Sequence, residues 1–212
     1  MIDENKTTEE NSTKKWRWYH GVLFYAGVQA VSFGLGKLVQ TVAQKSKPQL
    51  TEQIAGNSSY FEFYNELTQP IFAPPDWSFA PAWTLNNVLM IWGLGRVLNM
   101  PQGKAGRDEF LAWQKAFWIT FVIFNPLFFG LRSPILGAID TNIGLALTAG
   151  GTAVAASKLK DSKTAVLQSP TLLWLVLAAG AATTIAVWNK DEFFDSRPIV
   201  EPVASSGWVK KN

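Results

Sequence analysis

The sequence predicts an all-α membrane protein, a bundle of five transmembrane helices with a long loop between helices one and two. Three observations predict it. Five apolar runs, at about Trp18–Val42, Phe79–Leu98, Phe110–Leu131, Pro134–Ser157 and Pro170–Trp188, each approach the ~20 residues that span a bilayer. Polar residues gather at the ends and in the connections, so a mean hydropathy close to zero conceals the pattern. Five such runs within 212 residues leave too little polar surface to cover a soluble core. The expected organisation is a polar N-terminal tail over 1–17, a helical domain over 18–190 and a polar C-terminal tail over 191–212. The first dozen or so residues and Val203–Asn212 are expected to be mobile.

The first run is too long for a signal-peptide core and lacks a small-x-small cleavage site, so it reads as a retained helix. Its Gly34, Gly36 and Ser32 allow close helix approach, and Lys37 can snorkel to the headgroups. His20, at its head beside Trp16, Trp18 and Tyr19, is the only histidine; it reads as an interfacial side chain, with a ligand or proton-relay role as the alternative. With no cysteine in the chain, disulfides, thiolate chemistry and zinc sites are excluded, and no catalytic or metal constellation is expected. The net charge of +3 forms no basic stripe, which excludes nucleic acid as a partner. Lys14, Lys15, Arg17, Arg96, Lys104, Arg107, Lys158, Lys160 and Lys163 fall on the side of the N-terminus, close to the helix ends. That side is therefore expected to be cytoplasmic.

The connection from Pro48 to Pro75 is long and carries Tyr60, Phe61, Phe63, Tyr64 and Leu67, spaced to share one face of a short helix. It reads as a lid or as a helix resting on lipid headgroups. The stretch Pro70 to Thr84 follows, with prolines at 70, 74, 75 and 81 and the rings of Trp77, Phe79 and Trp83. Prolines at a helix entrance fix φ without losing an internal hydrogen bond. Such a stiff aromatic entrance suits either an interfacial belt or one wall of a pocket for a flat apolar molecule.

In helix two, Asn86 and Asn87 are costly in lipid and are expected to face the bundle interior. Helix three carries two aromatic stripes. Phe117, Phe121, Phe124 and Phe128 read as packing, whereas Trp118, Asn125 and Phe129 pair rings with a hydrogen-bonding group and read as the ligand face. Pro126 interrupts that helix and frees a carbonyl. Helix four holds Asp140, a functional candidate or a structural partner of Arg132, and a Gly/Ala-rich run suited to close helix contacts. Helix five opens at Pro170 and Trp174 and passes through small residues from Ala178 to Ala182, which serve helix packing or form a flat wall.

Taken together, Pro70, Pro74-Pro75-x-Trp77-x-Phe79-Ala80-Pro81-Ala82-Trp83-Thr84, then Leu127-Phe128-Phe129-Gly130-Leu131-Arg132-Ser133-Pro134, Ala138-Ile139-Asp140, and Pro170-x-x-x-Trp174 with Ala178 and Asn189, resemble the TspO/MBR family, the translocator proteins or tryptophan-rich sensory proteins. The resemblance spans roughly Phe61–Asn189. It implies a dimeric five-helix bundle with a pocket closed by the first loop, and binding of haem, porphyrins or similar hydrophobic rings. On that basis the ligand-binding residues are Trp77, Phe79, Trp83, Asn87, Trp118, Asn125, Phe129 and Trp174, and the partners are the bilayer, the ring ligand and a second copy of the chain. No obligatory cofactor is expected. The sequence departs from the family pattern at Asn87, Phe121, Phe124, Thr171 and Ala182, and Phe193 and Phe194 stand where a sterol pattern has Tyr, which implies an altered ligand preference. The implied activity is that of a receptor, sensor or carrier. The alternatives are an enzyme degrading porphyrin by Trp-assisted oxidation, or a regulatory membrane partner without a small ligand.

Overall fold

The computed structural model describes residues 15–46, 60–203 and 206–210. Among these there are six helices and no strand: α1 (Trp18–Ser46), α2 (Tyr60–Glu66), α3 (Phe79–Leu98), α4 (Arg107–Asn125), α5 (Pro134–Ser157) and α6 (Ser162–Trp188). Every apolar run of the sequence is helical, and α2 occupies the amphipathic part of the long connection. Two helices, α1 over Trp18–Val42 and α6, are long and apolar enough to cross a membrane by length and composition. The other three long helices dilute their apolar content, with Asn86, Asn87 and Arg96 in α3, Arg107, Asp108, Glu109 and Lys115 in α4, and Asp140 and Asn142 in α5. The polar 1–14 segment lies outside the described residues.

The long helices form a closed circuit in which α1 lies against α3 and α4, α3 against α6, α6 against α5, and α5 against α4. Small residues set the spacing. A Cβ on Gly137 would fall 2.4 Å from the Phe128 ring, and one on Gly150 would fall 2.9 Å from Trp113, so the small face of α5 is where α4 lies. At the centre, Val28, Met90, Phe117, Trp118 and Leu175 interlock from four helices. Gln114 Nε2 donates to Gln168 Oε1 at 2.9 Å, tying α4 to α6 where both amides are fully buried.

Two junctions differ from the sequence expectation, each for a local reason. Helix α4 does not end at Pro126 but passes into a π-helical turn over Pro126–Gly130, in which Leu131 N donates to Pro126 O at 3.0 Å and Ser133 N to Phe128 O at 3.2 Å. This wider turn re-aims Phe128 and Phe129 relative to the preceding stripe. Helix α6 starts at Ser162, so Pro170 lies inside it rather than opening it. The carbonyl that Pro170 cannot serve, that of Val166, accepts the Ser169 hydroxyl at 2.8 Å instead. Thr164 and Gln168, buried in this added stretch, anchor it against the bundle.

The C-terminal segment, expected to be mobile, folds back on the first loop. Ile71 N donates to Trp208 O and Lys210 N to Gln69 O, both at 2.8 Å, and Lys210 Nζ reaches Gln69 Oε1 at 3.1 Å. Backbone pairing of this kind depends on register rather than composition, so a polar tail shows no sign of it in sequence.

Candidate functional site

Helix α2 is held over one end of the circuit by contacts on three sides. Phe63, Tyr64 and Leu67 are buried against Phe128 and Ile185. Arg132, almost fully buried, donates to Glu66 of α2 at 2.8 Å and to Glu192 beyond α6 at 2.9 Å, with its guanidinium 4.4 Å from the Phe63 ring centre. Asn189 reaches back from the end of α6: its Oδ1 accepts from Thr68 N at 2.8 Å and its Nδ2 donates to Thr68 O at 2.9 Å. Asp76 fixes the third side, accepting from Asn65 Nδ2 at 2.9 Å and from Trp77 N at 2.6 Å. The Asn65 hydrogen bond, with that of Trp77 behind it, holds the Asp76 carboxyl below the usual carboxylate range. Burial pushes the Tyr64 phenol well above its ordinary value, with the Asp76 charge acting the same way. Tyr64 therefore stays neutral and donates to Pro74 O at 2.7 Å.

Beneath α2 lies a cavity of about 460 Å³, within the range of small-molecule sites. One wall is aromatic, made by Phe79 and Trp83 of α3 and by Phe117, Phe121, Phe124, Phe128 and Phe129 of α4 and its π turn. The lining from α5 and α6 is smaller on average, with Gly144, Ala178, Ala181 and Ala182 beside Thr141, Leu175 and Ile185. Tyr64 forms the roof. Polar atoms are few. The Thr120 and Thr141 hydroxyls are spent on the Phe117 and Gly137 carbonyls, each at 2.7 Å. Tyr25, Gln29, Asn125 and Asp140 remain as side chains able to meet a guest, Asn125 making a long 3.5 Å bond to Ser32 Oγ.

Of the residues proposed from sequence, Phe79, Trp83, Asn125 and Phe129 line this cavity. Trp77 stands outside it, 73% exposed at the entrance to α3. Trp174 is behind Phe79, ring centres 5.9 Å apart. Trp118 is buried behind the aromatic wall, edge-on to Phe24 at 5.0 Å and to Phe121 at 5.3 Å. Asn87 is buried as expected, but it lines a second cavity between α1 and α3. The phenylalanine stripe read as packing is the cavity wall, whereas the Trp118 side of the same helix is packing. Asp140 is not the partner of Arg132, whose guanidinium is committed to Glu66 and Glu192. Asp140 lies on the inner face of α5 and borders the cavity, while Arg132 sits past the π turn and faces the lid. His20 acts locally: its Nδ1 accepts from Arg17 N at 2.8 Å, capping the start of α1. Among the described residues no cluster of histidine and carboxylate side chains is placed to hold a metal ion.

Comparison with known proteins agrees with this architecture. Residues 31–188 match the family model described as the TspO/MBR family. The chain is 29% identical to the tryptophan-rich protein TspO of Archaeoglobus fulgidus over 140 residues, which are 60% of this chain and 80% of that protein. It is 28% identical to protein CrtK of Rhodobacter capsulatus over 131 residues, 60% and 77% of the two chains. It is 32% identical to a tryptophan-rich sensory protein of Cereibacter sphaeroides over 133 residues, 62% and 80%. With the family match running from within α1 to the end of α6, this chain belongs to the TspO/MBR family of membrane proteins.

Proposed function

We propose that the protein is a five-span membrane receptor, sensor or carrier that binds a tetrapyrrole, or a ring system of similar shape and apolarity, in the cavity beneath α2. The observation that carries this reading is the asymmetry of that cavity, with seven aromatic rings from α3, α4 and the π turn and with the small residues Gly144, Ala178, Ala181 and Ala182 among those that α5 and α6 supply. A planar ring gains stacking and edge contacts from the aromatic rings and close approach at the small residues. Asp140 and Asn125 supply acceptors at its edge for ring N–H groups, and Tyr64 closes the space above it. Exposed apolar side chains on all five long helices, among them Val22, Leu85, Ile119, Ile139 and Leu173, support lipid contact around the whole bundle.

The test is a titration of protoporphyrin IX and haem into protein purified in non-ionic detergent, read by tryptophan fluorescence. Saturable quenching is expected, weakened at least tenfold by Gly144→Leu, which fills the cavity from α5. A Gly103→Ala control in the exposed α3–α4 connection is expected to bind as the parent does. Quenching that does not saturate, or that is the same in Gly144→Leu, rejects the reading.

A further inference from the structure

The second cavity, about 550 Å³, is a groove between α1 and α3 at the end of the bundle opposite α2. It is amphipathic along its length. Arg17, Arg96, Trp16 and Asn99 surround its outer end, Val22, Val88 and Ile91 form its sides, and Asn87 and Tyr25 close its inner end. No acidic side chain lines it, and with Arg96 paired to Asp161 it is Arg17 that makes the outer end positive.

The groove is a formed site rather than a gap between loosely set helices. Trp16 N donates to Asn99 Oδ1 at 2.7 Å and Asn99 Nδ2 donates back to Trp16 O at 2.9 Å, clamping the start of α1 to the end of α3. Gly95 is required there, because a Cβ would fall 2.6 Å from the Trp16 ring. Arg96 is held by Asp161 through two contacts of 3.0 Å. At the inner end Asn87 is 1% exposed, its Nδ2 makes only a long 3.4 Å contact to the Tyr25 hydroxyl, and its Oδ1 has no partner. A buried amide oxygen left unpaired is costly, so an occupant that brings a donor to it is favoured.

We propose that this groove binds a single-chain anionic lipid that carries a hydroxyl partway along its chain. The acid group meets Arg17 and the positive outer end, the chain lies along Val22, Val88 and Ile91, and the hydroxyl donates to Asn87 Oδ1. The spacing is set by α3, which rises roughly 12 Å between Asn87 and Gly95, the level at which the Trp16 ring and the start of α1 lie against it. An extended chain places the hydroxyl of 12-hydroxyoctadecanoate at about that distance from its carboxylate. This site is separate from the cavity of the proposed function, although Tyr25 and Thr84 border both.

The experiment measures binding of 12-hydroxyoctadecanoate, octadecanoate and methyl 12-hydroxyoctadecanoate to the full chain in phosphatidylcholine nanodiscs by calorimetry. One-to-one binding is expected, with the hydroxy acid about tenfold tighter than either the unhydroxylated acid or the methyl ester. Asn87→Leu is expected to erase the preference for the hydroxyl, and Arg17→Gln to erase the preference for the free acid. Thermal melting confirms that both variants are folded. Equal binding of the three lipids, or a hydroxyl preference that survives in Asn87→Leu, overturns the proposal. Competitive displacement by protoporphyrin IX also overturns it by assigning the lipid to the cavity beneath α2. Failure of the porphyrin titration leaves this proposal standing.

Discussion

Asp140 sets the polarity of the cavity beneath α2. It is a buried carboxylate among aromatic and small side chains, and the cation nearest in sequence, Arg132, is engaged elsewhere with Glu66 and Glu192. A group in this position is costly without a guest and favourable with one that brings N–H donors. Asp140→Asn is therefore expected to weaken protoporphyrin binding by about tenfold, the worth of one charge-assisted hydrogen bond. An unchanged fluorescence titration in that variant removes Asp140 from the site. The sequence makes Asp140 conspicuous because a carboxylate inside an apolar run is rare. Its surroundings were not legible, because they depend on which way Arg132 leaves the π turn. Arg132 has a φ of 49°, a left-handed conformation uncommon for a residue with a side chain, and this carries the backbone into Ser133 and the start of α5. The pairing of Trp83 with a cavity wall was legible, and so was the burial of Asn87. Their assignment to two different cavities was not, since one helical turn separates them and only the packing of α1 tells the two spaces apart.

Helices were legible wherever an apolar run was long, and the junctions between them were not. Around the π turn after α4 and beside Pro170 within α6, individual hydrogen bonds satisfy carbonyls near a proline, a level of detail that periodicity does not reach. The lid illustrates the same limit. Its amphipathic spacing is visible in Phe63, Tyr64 and Leu67, whereas the tail that braces it is polar and featureless in sequence. Removing residues 206–212 deletes the bonds to Gln69 and Ile71, and Gln69 in turn donates from its Nε2 to Tyr64 O. Amide exchange over Phe63–Ile71 is expected to rise about tenfold, with exchange in α4 and α5 unchanged. Exchange that stays the same throughout shows that the tail does not brace the lid.

At the opposite end, Arg96 and Asp161 fasten α3 to the start of α6. Burial alone would raise the Asp161 carboxyl, but hydrogen bonds from Thr164 and Arg96 and the Arg96 charge outweigh it and hold the group below its ordinary value of 3.8. A carboxyl lowered by folding contributes stability above its unfolded value and loses it as pH falls through the folded one. The melting temperature is therefore expected to be flat near neutrality and to decline below about pH 4, and Asp161→Asn to remove part of that decline. The pair is partly open to solvent, which limits its contribution to on the order of 1 kcal/mol. An identical acid limb in the variant places the titrating group elsewhere.

For the molecule as a whole, the decisive question is how the circuit of helices sits in the bilayer. The lid-side cavity opens where α1 ends, α3 begins, α4 ends, α5 begins and α6 ends, and the groove between α1 and α3 lies at the other end. If all five long helices cross, these two ends face opposite sides of the membrane, and the chain termini do too. Lys and Arg favour the groove end, where Arg17, Arg96, Lys104, Arg107, Lys158, Lys160 and Lys163 cluster near helix termini. On that bias the groove end is expected to face the cytoplasm and the lid the opposite side, which cysteine labelling checks. Because the chain has no cysteine, single replacements give an unambiguous readout. Gly103→Cys and Ser162→Cys are expected to react with a membrane-impermeant maleimide only after the membrane is opened. Ile71→Cys and Glu201→Cys, exposed at the lid end, are expected to react in intact cells. The reversed pattern inverts the orientation but keeps five crossings. If Ile71 and Gly103 label from the same side, α3 does not cross, and a model in which only the two most apolar helices span replaces the five-span bundle.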